Sequence, residues 1–122
     1  MGDIKKIGYY HCRDSDLRFF YPMVTGSENF YEHLQNLEWY YMDEKDEYDY
    51  ANNFIRKLDL VLEIGCCKGA FAQKISTKKY VGIEFSRKAK EIAFSKGILI
   101  ENESIHSHSV AHPAKYDLVC AF

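Results

Sequence analysis

The chain has 122 residues, the size of one small domain or part of a larger one, since so short a chain buries only about two-thirds of its unfolded surface and cannot hold two full cores. Hydrophobic residues make up 47% and charged residues 28%, a globular composition, and 16 basic against 18 acidic residues leave a net charge of -2, so no field of one sign draws in a nucleic-acid backbone. The apolar runs fall well short of the ~20 residues that cross a bilayer, and MGDIKKIGYYHC has no apolar core behind its lysines; neither a membrane helix nor a signal peptide is expected, and the expected compartment is cytoplasmic.

Of nineteen aromatic residues, thirteen lie between Tyr9 and Phe54. Residues 9–21, YYHCRDSDLRFFY, read as two short aromatic strands around the polar turn Arg13-Asp14-Ser15-Asp16, stopped by Pro22. Core packing is the expectation for these rings; the acids Asp43, Glu44, Asp46, Glu47 and Asp49 argue against a stacking platform for nucleic acid. Thr25 and Glu28 form a capping box for a helix over 26–37 with a stripe of Phe30, Leu34 and Leu37. A second helix is expected over 44–57 from Tyr48, Ala51, Ile55 and Leu58, with an acidic first turn and Arg56 and Lys57 in its last.

From Asp59 the pattern becomes strand, turn, helix, strand. LVLEIG (60–65) is a continuous apolar run, the habit of a parallel strand buried on both faces. Helix 68–76, strand 80–85, helix 86–96 with Ser86 as its cap and Gly97 past its end, strand 98–100, a short helix over 104–112 and strand 116–122 follow. Such alternation implies an α/β fold with an open parallel sheet.

The chemistry lies in Glu63-Ile64-Gly65-Cys66-Cys67-Lys68-Gly69, a strand turning straight into a helix. Glycine there lets a ligand approach the backbone. Glu63, ahead of the loop, suits a cationic amino group and not a phosphate. Glu84 ends the next strand, about twenty residues on, where a carboxylate can accept both hydroxyls of a ribose; Phe85 beside it offers an apolar face to a base. Amino group, ribose and adenine together describe S-adenosyl-L-methionine better than a dinucleotide. No Gly-Lys-Ser/Thr occurs, which excludes a P-loop, and Gly65 and Gly69 alone do not make a nicotinamide-binding fingerprint.

VLEIGCCKGAFAQKI, YVGIEFS and YDLVCAF resemble the class I S-adenosylmethionine-dependent methyltransferases, over residues 44–122. The resemblance implies a partial doubly wound, Rossmann-like sheet of strand order 3-2-1-4. It implies that Glu63, Gly65, Cys66, Cys67 and Gly69 line the methionine side, that Glu84 and Phe85 take ribose and adenine, and that Glu103 and Ser104 lie near the adenine. Two departures stand out: Cys67 occupies the place of the loop's middle glycine, and the family's sheet continues beyond a fourth strand, where its acceptor and catalytic residues lie. The expectation is therefore a fragment, inactive alone, with the methyl acceptor and catalytic residues unread and the fourth-strand edge open to self-association. The competing expectation is a non-catalytic fold remnant or interaction module.

Residues 1–43 are similar to a degenerate zinc ribbon followed by a helix: YHCRDSDLRFFYP keeps Cys12 but has Ser15 where a second cysteine would stand, so no structural zinc is expected. All four cysteines are expected as thiols, with Cys66 and Cys67 as small buried fillers. His106, His108 and His112 are read as part of a solvated polar helix with no carboxylate near them, and no metal is expected.

Overall fold

The computed structural model describes residues 6–122 apart from Thr25, Gln35, Glu38 and Tyr41, and leaves out the side chain of Glu28. The expected Thr25–Glu28 capping box lies outside the described residues. Strands β1 (Gly8–His11) and β2 (Arg18–Tyr21) form an antiparallel hairpin in which Tyr9 faces Phe20 and Tyr10 faces Phe19. Their rings pair across the strands at centroid distances of 5.1 and 5.7 Å. The expectation that these rings pack in a core is not met: Tyr9, Tyr10, Phe20 and Tyr21 are all at least half exposed. A two-stranded ribbon alternates its side chains between two faces and has no second layer of its own to cover either.

Helix α1 covers Glu28–Leu34, and its Phe30 amide bonds the Ser27 hydroxyl at 3.3 Å. The expected apolar stripe fails here. Phe30 is exposed, its ring edge-on to Tyr31, and Leu37 lies beyond the helix in a turn closed on Leu34. Helix α2 covers Asp46–Asn52 and has the expected acidic first turn of Asp46, Glu47 and Asp49. It stops well short of 57, so no basic residue sits in its last turn and Leu58 is exposed. The stop is local: the Asp59 carboxylate accepts the Arg56 amide at 2.8 Å and the Arg56 carbonyl accepts the Asp59 amide, a side-chain-closed turn that competes with further helix.

The remaining elements are β3 (Val61–Ile64), α3 (Ala70–Lys74), β4 (Tyr80–Ile83), α4 (Arg87–Ser95), β5 (Ile100–Glu101), α5 (Ile105–Ala111) and β6 (Leu118–Ala121). The four strands β5-β4-β3-β6 lie side by side in that order, and every pairing is parallel. Strand β3 is central and covered on both faces, as its apolar run requires: Val61 joins Tyr48, Ile55, Phe71 and Ile75, while Leu62 joins Val81 and Ile83. Tyr48, Phe71 and Phe122 close a triangle of rings 4.8–5.3 Å apart that ties α2 and α3 to the end of β6.

Ser86 caps α4 as expected, its hydroxyl accepting the Ala89 amide. Gly97 follows the helix at φ +75°, and Ile98 bonds back to the Ala93 carbonyl. That closure takes up residue 98, so the third strand begins at Ile100 and not at 98. No helix among the described residues is long and apolar enough to cross a membrane.

Candidate functional site

The loop between β3 and α3 runs along the carboxyl edge of the sheet. Gly65, Cys67 and Gly69 all take left-handed backbone, at φ 71°, 51° and 76°. For Cys67 that conformation costs roughly 1 kcal/mol or more. Most loop amides are engaged internally: Gly65 and Cys66 both donate to the Ile83 carbonyl, Gly69 donates to the Cys66 carbonyl, and Cys67 donates to the Glu84 carboxylate at 3.0 Å. Amides so committed do not cradle a phosphate. A Cβ at Gly65 would meet nothing within 4 Å, so the loop is open there, whereas one at Gly69 would stand 2.8 Å from Ile98.

Cys66 turns its thiol into the core beside Ala93 and Ile100, close enough that a Cβ at Gly82 would clash with it. Burial, then the nearby Glu63 charge, push the thiol well above its ordinary range. What Cys66 can offer a ligand is therefore backbone. Cys67 is half-buried, and its thiol faces the Gly65 carbonyl. The four cysteines form no disulfide among the described residues.

Glu63 is 2% exposed. Its Oε2 accepts the Tyr80 hydroxyl at 2.5 Å, and Oε1 has no partner among the described residues. Burial lifts its carboxyl to about 7, against the pull of the Tyr80 hydrogen bond and the charge of Lys45. Tyr80 is held protonated by burial and by the same carboxylate. Sequence spacing does not announce the Glu63–Tyr80 pair; it follows from the register, which sets Val61 against Tyr80 and so places Glu63 within a long side chain's reach.

Glu84 stands just past β4, half-buried, and both its oxygens already accept backbone amides, Oε2 from Cys67 and Oε1 from Ser86 at 2.9 Å. Each oxygen keeps a second lone pair for a ribose hydroxyl. The Asn102 amide clamps the carbonyls of Glu84 and Phe85 at 2.8 and 2.7 Å, a role the sequence does not announce. Phe85 is exposed beside them. Glu103 and Ser104 are engaged elsewhere: Ser104 caps α5 by accepting the Ser107 amide, and Glu103 meets His108.

Helix α5 is exposed along most of its length, His106 included, as expected, but the expectation fails at His108, which is buried and has a carboxylate beside it. His108 is 1% exposed, its Nδ1 lies 2.6 Å from Glu103 Oε1, and its Nε2 lies 2.5 Å from the Tyr116 hydroxyl. Residue 108 turns to Tyr116, which itself packs on Leu62, Val81 and Ile83, and the chain entering the helix brings Glu103 alongside.

A second approach to the edge comes from the segment before α2. Lys68 pairs with Asp43 at 3.0 Å and Lys74 with Glu44 at 2.5 Å, both on the surface and each worth little alone. Tyr40 sits close enough to Cys67 and Glu84 that their charges, after burial, raise its hydroxyl. A cleft of ≈500 Å³ opens between the start of α2 and the end of β6, lined by Glu44, Lys45, Glu47, Asp49 and Phe122 among others. No family model and no curated protein matches this chain.

Proposed function

We propose that the chain is the S-adenosyl-L-methionine-binding part of a class I methyltransferase, with a Rossmann-like sheet of order 3-2-1-4 counted from β3. One observation carries this reading. Glu63 is a buried carboxylate with one oxygen unpartnered among the described residues, set two residues before Gly65, where the loop is open. An ammonium group brought to that oxygen would restore a charge that burial otherwise suppresses. The strand order β5-β4-β3-β6 and a carboxylate at the end of β4 favour the same reading.

In this proposal Glu63 holds the amino group of the methionine moiety, and the backbone of Gly65, Cys66, Cys67 and Gly69 shapes the passage beside it. Glu84 takes the ribose hydroxyls and Phe85 covers the adenine. Glu103 and Ser104 have no part in it, being committed to α5. The chemistry supplied with the cofactor bound is an electrophilic sulfonium methyl, passed on by in-line displacement. For such a reaction protein groups chiefly position and orient.

A second reading, an interaction module, is favoured by β6, an outer strand of the described sheet with Val119 55% exposed. Calorimetry with S-adenosylmethionine and S-adenosylhomocysteine separates the two. The proposal expects saturable 1:1 binding of both. A chain that is folded by circular dichroism and gives no heat with either overturns it and leaves the interaction module.

A further inference from the structure

We infer that Glu103, His108 and His112 form a binding site for a divalent cation of the zinc class, independent of the methyltransferase reading. The three side chains bring one carboxylate oxygen and two imidazole nitrogens within 4.8 Å of one another. His108 and His112 are four residues apart, at the middle and C-terminal cap of α5, and share one face of the helix, with ring centroids 4.6 Å apart. Glu103 reaches the same point from just ahead of the helix. His106 lies outside the group.

A satisfied buried histidine accounts for Glu103–His108–Tyr116 but leaves the second imidazole unexplained. The arrangement around His108 is the one a metal ligand needs. A ligating histidine uses one ring nitrogen for the ion and donates its other N–H to a fixed partner. Here Tyr116 faces Nε2 at 2.5 Å, and Nδ1 points to Glu103. With the ion bound, the ring proton sits on Nε2 and donates to the Tyr116 oxygen, while Nδ1 gives its lone pair to the metal.

The donor set decides the class of ion. Two imidazoles and one carboxylate suit zinc and its neighbours, whereas magnesium and calcium want oxygen donors throughout. Around a tetrahedral ion with bonds of about 2.0–2.1 Å, donor atoms stand roughly 3.3 Å apart. Closure therefore asks Glu103 and His108 to part slightly and His112 to swing inward. Both flanking residues are half-buried and reachable from solvent. Three protein ligands leave a fourth position to water.

The test uses the full chain, stripped with a chelator and titrated with Co²⁺, then competed with Zn²⁺. Expected are one equivalent of Co²⁺ with visible bands of four-coordinate intensity and no sulfur-to-cobalt charge transfer, displacement by Zn²⁺, and a melting temperature that climbs with Zn²⁺ concentration. His112→Ala should weaken Co²⁺ binding by roughly a hundredfold while the metal-free chain keeps its melting temperature; Glu103→Gln, which preserves the contact to His108, should weaken it at least tenfold; and Tyr116→Phe should cost about tenfold through the outer partner. No spectral change in excess Co²⁺, a thiolate charge-transfer band, or equal affinity in His112→Ala would each overturn the site and leave His108 as part of a structural relay only.

Discussion

The Glu84 carboxylate reaches from the end of β4 to the loop after β3 and accepts the Cys67 amide at 3.0 Å. The acceptor fixes the one loop residue that is left-handed without being glycine. With its other oxygen Glu84 takes the Ser86 amide at the start of α4. One side chain thus braces two strand-to-helix turns along the same sheet edge, and any ribose bound there would meet a carboxylate already oriented.

Glu84→Ala should therefore do two things. It removes the acceptor of two amides, costing about 1–3 kcal/mol in urea unfolding. It also weakens S-adenosylhomocysteine binding tenfold or more, the loss of about 1.4 kcal/mol or greater at the ribose. Titration calorimetry on the folded variant measures the second effect, and unchanged affinity would remove Glu84 from the ribose role.

Cys67→Gly relieves the left-handed strain, roughly 1–2 kcal/mol, against about 0.4–1 kcal/mol of added entropy in the unfolded chain. The relief of strain matches or outweighs the entropy, so the variant should gain between about 0 and about 1.6 kcal/mol of unfolding free energy, read from its denaturant midpoint. It should also bind S-adenosylhomocysteine more tightly, because no side chain then narrows the loop. A less stable variant would show that the thiol contact to the Gly65 carbonyl matters more than the strain.

The loop and its flanks are legible in the sequence because their causes are local. A continuous apolar run gives β3, glycines mark the left-handed turn, and Ser86 and Gly97 punctuate α4. Helix α2 is shorter than its periodicity suggests, because Ile55 and Leu58 say nothing of the Asp59 carboxylate that closes the chain at Arg56. Ile55 is buried all the same, from the irregular stretch after α2. The partners Tyr80 and Asn102 are invisible in the sequence because strand register, not spacing, brings them to Glu63 and to the end of β4. The burial of His108 is equally hidden, because helical periodicity gives a face but not what covers it.

Glu63 should make stability pH-dependent. Its carboxyl is raised by burial from 4.5 to about 7 in the folded chain. Between those values the unfolded chain has ionised and the folded one has not, so stability falls as pH rises. The contribution is whole below about pH 4.5 and gone above about pH 7. Glu63→Gln should flatten that slope and exceed the native chain above pH 7 by about 3 kcal/mol at most. Denaturant unfolding across pH 4–8 measures it, and an unchanged slope in the variant would assign the dependence to other groups.

The isolated chain should bind S-adenosylmethionine yet transfer no methyl group. Methyl transfer requires both reactants in near-attack geometry, and in the proposed reading the four described strands hold only the cofactor half of that geometry. The cleft beside Phe122 is walled by Glu44, Asp46, Glu47 and Asp49 on one side and by β6, an outer strand, on the other. An acceptor entering there would meet no opposing wall among the described residues to fix its nucleophile in line with the sulfonium. Radiolabelled transfer to a broad panel of small-molecule and protein acceptors should therefore stay at background. The Glu63→Ala chain serves as the control, since it keeps the cleft but loses the amino-group carboxylate. Turnover by the native chain that vanishes in Glu63→Ala would show instead that these four strands make a complete enzyme, with the acceptor bound between α2 and β6.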